Sequence, residues 1–455
     1  MVSAAEQLAA NLNFGAFSKA EELKKRIWFT LGALIVYRIG TFIPMPGIDP
    51  VAFAETFRQN SSGILGMVNL FAGGAIERMA IFALNIMPYI SASIIMQLMS
   101  SVSPKLEALK KEGEQGRKQI NQYTRYLTVV LAAFQAYGIA IGLEGSRGSM
   151  GSVVLDPGWF FRMSTVITLV GGTMFLMWLG EQITSRGVGN GISLIIFAGI
   201  VAGLPSALIG LFELARTGAL ATPLLLALLV LMLGVVAAIV FMERAQRRLL
   251  IQYPKRQVGN RMFQGEASHL PLKLNTAGVI PPIFASSLLL LPITAAQFSQ
   301  GGAGGSHEWL NALVAALGRG QPLHIVIYVA MIIFFAFFYT AVVFNANDTA
   351  DNLRKYGGYL PGIRPGQKTA EYIDYVLTRI TLVGAIYLAI VCVLPELLIA
   401  YAAVPFYFGG TSLLIAVSVT MDTVAQVQSH LLAHQYEGLI KKAKLRGATS
   451  RSGRR

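Results

Sequence analysis

Ten apolar stretches, each about as long as a bilayer-crossing helix, recur along the chain at 27–43, 79–99, 126–143, 163–180, 190–212, 218–242, 278–298, 323–344, 380–395 and 408–427. No other feature restricts the fold as tightly. Inside hydrocarbon every backbone N–H and C=O must find a partner within the protein, which leaves helices or a closed barrel. Uninterrupted apolar runs without period-two alternation select the helix. The expectation is an all-α polytopic membrane protein with ten transmembrane helices. Only 13% of the residues are charged, against about 25% in soluble domains, and the mean hydropathy is +0.57. The ninth stretch is the shortest, and Glu396 falls between it and the tenth.

Basic residues sort the connections into two sets. Residues 1–26 and the connections 100–125, 181–191, 243–277, 346–379 and 430–455 carry 30 of the 37 Lys and Arg residues. The positive-inside rule assigns all of these to the cytoplasm, with both termini there and an even number of spans. The net charge of +14 is then a consequence of orientation and gives no reason to invoke nucleic acid. Residues 3–26 end in Lys24-Lys25-Arg26 and read as an amphipathic segment on the membrane surface rather than a secretory signal. Residues 431–455 read as a basic tail. The loops 243–277 and 346–379 are longer than orientation requires. In the second, Pro361, Gly362, Pro365 and Gly366 frame Arg364, which predicts a turn with the arginine at its tip.

A further apolar run, within about 61–75, is too short to span and ends in Gly73-Gly74. The spans also repeat internally. "GISLII" at 191–196 matches "GTSLLI" at 410–415, and "IMPYISAS" at 86–93 resembles "IPPIFASS" at 280–287. Spans five and ten are thus paired, as are two and seven. An offset of five spans reverses the direction of entry, so the pattern predicts two inverted halves, 27–212 and 218–430.

Catalytic and coupling chemistry is sparse. The chain has no phosphate-binding glycine loop, no His-Glu-x-x-His and no Gly-x-Ser-x-Gly. The lone Cys392 excludes an intrachain disulfide and a cysteine metal cluster. His430 and His434 stand four apart without an acidic partner. No metal, cofactor or enzymatic activity is expected. An inverted-repeat secondary transporter of a small solute is the alternative, but it would be expected to show intramembrane carboxylates; only Asp422 and Arg38 lie near span ends. The spans instead carry isoleucines one turn apart, Ile86 with Ile90 and Ile192 with Ile196, and Ile283 and Ile415 stand in the repeat partners. Polar groups near them, Ser91, Ser93, Gln97, Gln135, Asn275, Ser286 and Ser287, favour a partner helix or a wet cavity over lipid.

Long motifs then accumulate in order: "GTFIPMPGID" (40–49), "NLFAGGA" (69–75), "FALNIMPYISASIIMQL" (82–98), "KKEGEQGRKQINQYTRY" (110–126), "GTMFLMWLGEQIT" (172–184), "GNGISLIIFAGI" (189–200), "AGVIPPIFASS" (277–287), "FNANDTADNLRKYGGYLPGIRPG" (344–366) and "VPFYFGGTSLLI" (404–415). Over roughly residues 20–450 the chain resembles the SecY family, the channel subunits of bacterial protein translocons. The resemblance implies two halves of five spans around a central pore, opening sideways toward lipid. It implies a pore ring of Ile86, Ile90, Ile192, Ile196, Ile283 and Ile415. It implies a re-entrant plug helix that includes Ile64, Leu65, Met67, Val68, Leu70, Phe71 and Gly73. Spans two and three against seven and eight would form a lateral gate, with Ser91, Gln97, Gln135, Asn275, Ser286 and Ser287 as its polar lining. Arg364, supported by Lys255, Arg256 and Arg261, would dock a SecA-like motor ATPase or a ribosome. The other implied partners are small SecE-like and SecG-like membrane subunits, signal peptides, nascent membrane proteins and the lipid bilayer. The implied location is the bacterial cytoplasmic (inner) membrane.

Overall fold

The computed structural model describes residues 21–60, 69, 72–145, 147–148, 151–218, 222–253, 256–258, 261–263, 267–289, 316, 321–402 and 410–452. Its helices are α1 (Glu21–Gly40), α2 (Pro50–Asn60), α3 (Met87–Val102), α4 (Pro104–Lys111), α5 (Glu114–Gly145), α6 (Trp159–Arg186), α7 (Gly191–Arg216), α8 (Thr222–Arg244), α9 (Ile280–Leu289), α10 (Pro322–Val343), α11 (Ala346–Lys355), α12 (Gln367–Ala402) and α13 (Gly410–Ser452). Among the described residues seven are long and apolar enough to cross a bilayer: α5, α6, α7, α8, α10, α12 and α13. The apolar helices α3 and α9 are shorter, and α1 carries charge in its first turns. These ten helices correspond to the ten apolar stretches. The chain is an all-α polytopic membrane protein with small antiparallel ladders in its connections, the first of them β1 (Arg147–Gly148) with β2 (Gly151–Ser152).

Several boundaries differ from the sequence reading. The helix expected at 79–99 starts only at Met87, and residues 72–86 run in successive turns. Pro88 stands in the first turn of α3, where its missing N–H costs no hydrogen bond; it starts the helix rather than bending one. Met79 and Asn85 have φ of +41° and +49°, a conformation that ends helical continuation for residues with a side chain. Pro281 and Pro282 likewise stand at the start of α9. Lys24, Lys25 and Arg26 belong to α1 and not to a separate surface segment. Helix α12 continues through Pro395 and Glu396 to Ala402, so the helix outlasts the ninth apolar stretch. The expected basic tail extends α13 to Ser452.

The long connections are ordered differently from plain loops. Within 243–277, β3 (Gln246–Gln252) pairs with β6 (Ala267–Lys273) from Gln246↔Lys273 to Gln252↔Ala267. Inside that hairpin, β4 (Arg256–Val258) pairs with β5 (Arg261–Phe263). Within 346–379, α11 and the first turns of α12 bracket a short turn region.

Helix packing repeats at a step of five spans. Helices α5·α6, α6·α7 and α1·α7 pack together, and so do their counterparts α10·α12, α12·α13 and α8·α13. Glycine explains one repeated contact. A Cβ at Gly191 would run into the carbonyl oxygen of Gly180 on α6, and one at Gly410 into that of Val391 on α12. Both repeat helices therefore begin against bare backbone of the preceding span. Helices α5 and α6 are also joined near both ends. Arg125 forks onto Glu181 at 2.7–3.1 Å, while Arg162 donates to Glu144 at 2.6 and 2.8 Å.

Candidate functional site

The six isoleucines converge. Ile86 caps α3, and the Ile90 N–H donates to its carbonyl at 3.1 Å. Ile192 and Ile196 sit on the first turns of α7, whose start is fixed by Asn190: its side-chain oxygen accepts from the N–H of Ile192 at 3.1 Å and of Ser193 at 3.5 Å. Ile283 comes from α9 and Ile415 from the second turn of α13. Ile86, Ile90, Ile196 and Ile415 are buried in one apolar cluster, and Ile192 and Ile283 pack against it. Phe284 of α9 and Phe335 of α10 continue that cluster, their rings meeting edge to face at 5.7 Å between centroids.

A cavity at this junction is lined by Ile90, Ile196, Ile283 and Ile415 together with Asn85, Met87 and Ser286. Its free volume of about 10 Å³ is at the lower limit for a single water. Branched side chains around so small a space exclude a hydrated ion. Asn85 and Met87 were not picked out from sequence. Their place directly beside Ile86 was the available signal, obscured by the expectation of a helix through 79–99.

The polar candidates are distributed less coherently. Ser91 and Ser287 are buried, and Ser286 and Gln97 are half-buried, as is Gln135 on α5. Ser286 donates to the carbonyl of Ile283 at 2.9 Å, within its own helix. The Gln97 Oε1 and Ser287 Oγ are buried without a hydrogen-bond partner. Asn275 is buried and paired: its amide donates to Glu243 Oε1 at 2.6 Å and to the Gly278 carbonyl at 3.1 Å. Among the described residues, no hydrogen bond joins these six groups to one another. The contact between α3 and the α9–α10 region is carried by the apolar cluster.

The two long connections form one platform. Gln252 and Tyr359 exchange backbone hydrogen bonds at 2.9 and 3.0 Å, and the Tyr359 hydroxyl donates to Gln252 Oε1 at 3.3 Å. Leu249 and Leu272 of the hairpin share an apolar core with Leu360, Ile373 and Ile380. Arg364 is exposed on the adjoining turn. Gly362 and Gly366 adopt φ of +82° and +109°, which only glycine takes readily, and the Thr369 hydroxyl donates to the Arg364 carbonyl at 2.9 Å. Arg256 and Arg261 lie in the β4–β5 hairpin; Lys255 lies outside the described residues. Sequence spacing gave no hint of the Gln252–Tyr359 junction, which joins positions far apart in the chain.

Of the expected plug, Ile64, Leu65, Met67, Val68, Leu70 and Phe71 lie outside the described residues. Gly73 is described, with φ of +63°. Its carbonyl accepts from Arg38, the Ala72 carbonyl accepts from the Tyr37 hydroxyl at 3.5 Å, and a Cβ on Gly73 would meet the Gly199 Cα of α7 at 3.0 Å. The turn after the short run is therefore seated between α1 and α7. Arg38 and Arg78 both stack on the Phe42 ring, at 5.0 and 4.1 Å from its centroid.

Comparison with known proteins accords with this geometry. The SecY family model matches residues 80–424. A protein translocase subunit SecY of Rickettsia conorii is 57% identical over 432 residues, covering 94% of this chain and 99% of the relative. Two solved channels share the fold. One is a SecY protein whose plug domain is described as stabilising the closed state and maintaining a membrane seal; its TM-score is 0.64 at 16% identity, over 90% of this chain and 92% of that one. The other is Sec61 in a canine ribosome–channel complex from the endoplasmic reticulum, with a TM-score of 0.61 at 16% identity over the same shares. By the family match across most of its length and the identity to a full-length relative, the chain belongs to the SecY family.

Proposed function

We propose that the chain is a protein-conducting channel that passes unfolded secretory polypeptides across the bacterial cytoplasmic membrane. The observation that carries this reading is the convergence of six isoleucines in one apolar cluster, four of which, Ile90, Ile196, Ile283 and Ile415, line a space that admits no more than about one water. An empty apolar constriction closes by dewetting. Its side chains make no directional bonds, so they yield around a passing chain and close behind it. The packing that repeats at a step of five spans supports two inverted halves, 27–212 and 218–430, meeting at this constriction. The family assignment gives no support to the secondary-transporter alternative.

Sideways release follows from the same architecture. Because apolar packing carries the α3 contact with α9 and α10, a transiting apolar segment can replace it. Each Leu, Ile, Phe or Val in that segment gains about 0.3–0.6 kcal/mol by partitioning to lipid. Ser91, Gln97, Gln135, Ser286 and Ser287 lie along this route in the proposal, and segment 64–73 is the plug. The platform around Arg364 docks the motor ATPase or ribosome that supplies the work. SecE-like and SecG-like subunits complete the assembly, and both termini face the cytoplasm.

Conductance tests the seal. Ile192→Asn or Ile86→Asn, in the channel reconstituted with its small subunits in planar bilayers, is expected to raise resting ion conductance. Resting conductance unchanged by asparagine at all six positions would contradict the assignment.

A further inference from the structure

The platform and the constriction are joined by a short piece of backbone that meets α8 through one polar side-chain bond and the apolar packing of Val279. Strand β6 ends at Lys273 and α9 begins at Ile280. Between them the Leu274 N–H donates to the Ala245 carbonyl at 3.0 Å, which closes the base of the hairpin against the end of α8. Asn275 follows, buried, and its amide bridges Glu243 and Gly278. Gly278 has φ of +63° and turns the chain into α9. On the other side, a Cβ at Gly384 of α12 would meet the Leu274 carbonyl at 2.7 Å, so the junction lies directly on bare helix backbone. Glu243 is within electrostatic reach of Lys273, Asp422 and the Tyr387 hydroxyl. It therefore sits where the end of α8 and the base of the hairpin meet the interior of α12 and α13.

We infer that the Glu243–Asn275 hydrogen bond is the positioning contact that holds α9, and with it Ile283, in the sealed arrangement. The inference rests on reading the isoleucine constriction as a seal. The reason is mechanical. Over its described residues, Ile280–Leu289, α9 shares an apolar cluster with Ile239 of α8 through Ala285 and Leu289; these contacts can slide, whereas the Glu243–Asn275 bond just before the helix is directional and fixes its start. Ile283 lies one turn into that helix. The hairpin on the other side of the junction is stiffened by the core it shares with α11, α12 and the Arg364 turn. A displacement of the platform thus reaches α9 through Lys273, Leu274 and Asn275, and Asn275 is where it is resisted. A hydrogen bond to a carboxylate is strong enough to hold a rest position and weak enough to be broken by a docked partner.

Resting conductance of the complete complex in planar bilayers provides the test, with Glu243→Leu, Asn275→Leu, the double variant, Glu243→Gln and, as reference, Ile192→Asn. Each leucine variant is expected to raise resting conductance about tenfold, the order expected for loss of a hydrogen bond to a charged group. The double variant should leak no more than either single one, because both remove the same bond. Glu243→Gln keeps an acceptor oxygen and should stay near the parent. Asn275→Ser, which shortens the donor without adding apolar bulk, carries the test where a leucine variant fails to assemble. Parent-like conductance in the leucine and serine variants, while Ile192→Asn leaks, overturns the inference and leaves the seal standing. Additive leaks in the double variant, or a glutamine variant as leaky as leucine, also overturn it. Tight channels with asparagine at Ile192 and at each of the other five isoleucine positions remove the seal reading itself, and this inference with it.

Discussion

Arg364 shows how a single exposed side chain gains a defined position. Its backbone is held by the Thr369 hydroxyl and bounded by two glycines of positive φ, so the guanidinium is presented from a fixed turn. Arg364→Glu is expected to weaken binding of the motor or ribosome by about tenfold or more, as for loss of an interface hot spot; an affinity equal to the parent's in a fluorescence titration would remove it from the docking site. The isoleucines and Arg364 were legible because their motifs are long and their neighbours are prolines and glycines. Asn275 was read as gate lining because polar residues near spans suggest one. Its bond to Glu243 is a tertiary contact across 32 residues of sequence, and no local pattern encodes it. Asn85 stands beside Ile86, but its left-handed backbone breaks the helix that an apolar run through 79–99 leads one to expect.

Among the elements, apolar length located all ten helices and misjudged several ends. A helix end depends on capping and neighbours, whereas apolar length reports only the part within hydrocarbon. Pro88 carried the missing information about α3. The repeated glycines make the element-scale packing testable. Gly191→Ala and Gly410→Ala each force a methyl into a carbonyl of the neighbouring helix, and each should destabilise the protein by about 1–3 kcal/mol. Gly171→Ala, with nothing within 4 Å of the new methyl, should leave the melting temperature unchanged or slightly raised. Equal melting temperatures for all three would refute the close-packing explanation. The two α5–α6 ion pairs should differ too. Arg125 and Glu181 are substantially exposed, whereas the Glu144 side chain is 12% exposed and also accepts from the Gly158 N–H at 3.1 Å. Arg162→Ala should therefore lower the melting temperature more than Arg125→Ala does in the same detergent, and equal losses would contradict the difference.

For the whole molecule, the inverted repeat has a mechanical consequence. Helices α7 and α13, one from each proposed half, pack on each other and carry Ile196 and Ile415 at corresponding positions of "GISLII" and "GTSLLI", with Ile192 one turn before Ile196. In the proposed architecture the constriction is formed where the halves meet, and their relative movement would widen it. Opposite that movement stands the platform, built from two connections of the second half. Its union through Gln252 and Tyr359 was not legible, because two basic loops look independent until the fold brings them together. Passage of a polypeptide through the centre is tested most directly by photo-crosslinking a stalled secretory chain to probes placed at Ile196 and Ile415. Crosslinks from both positions, lost when the chain is released, are predicted. Crosslinks confined to the lipid-facing surfaces of α1 or α8, with none from Ile196 or Ile415, would contradict a central conduit.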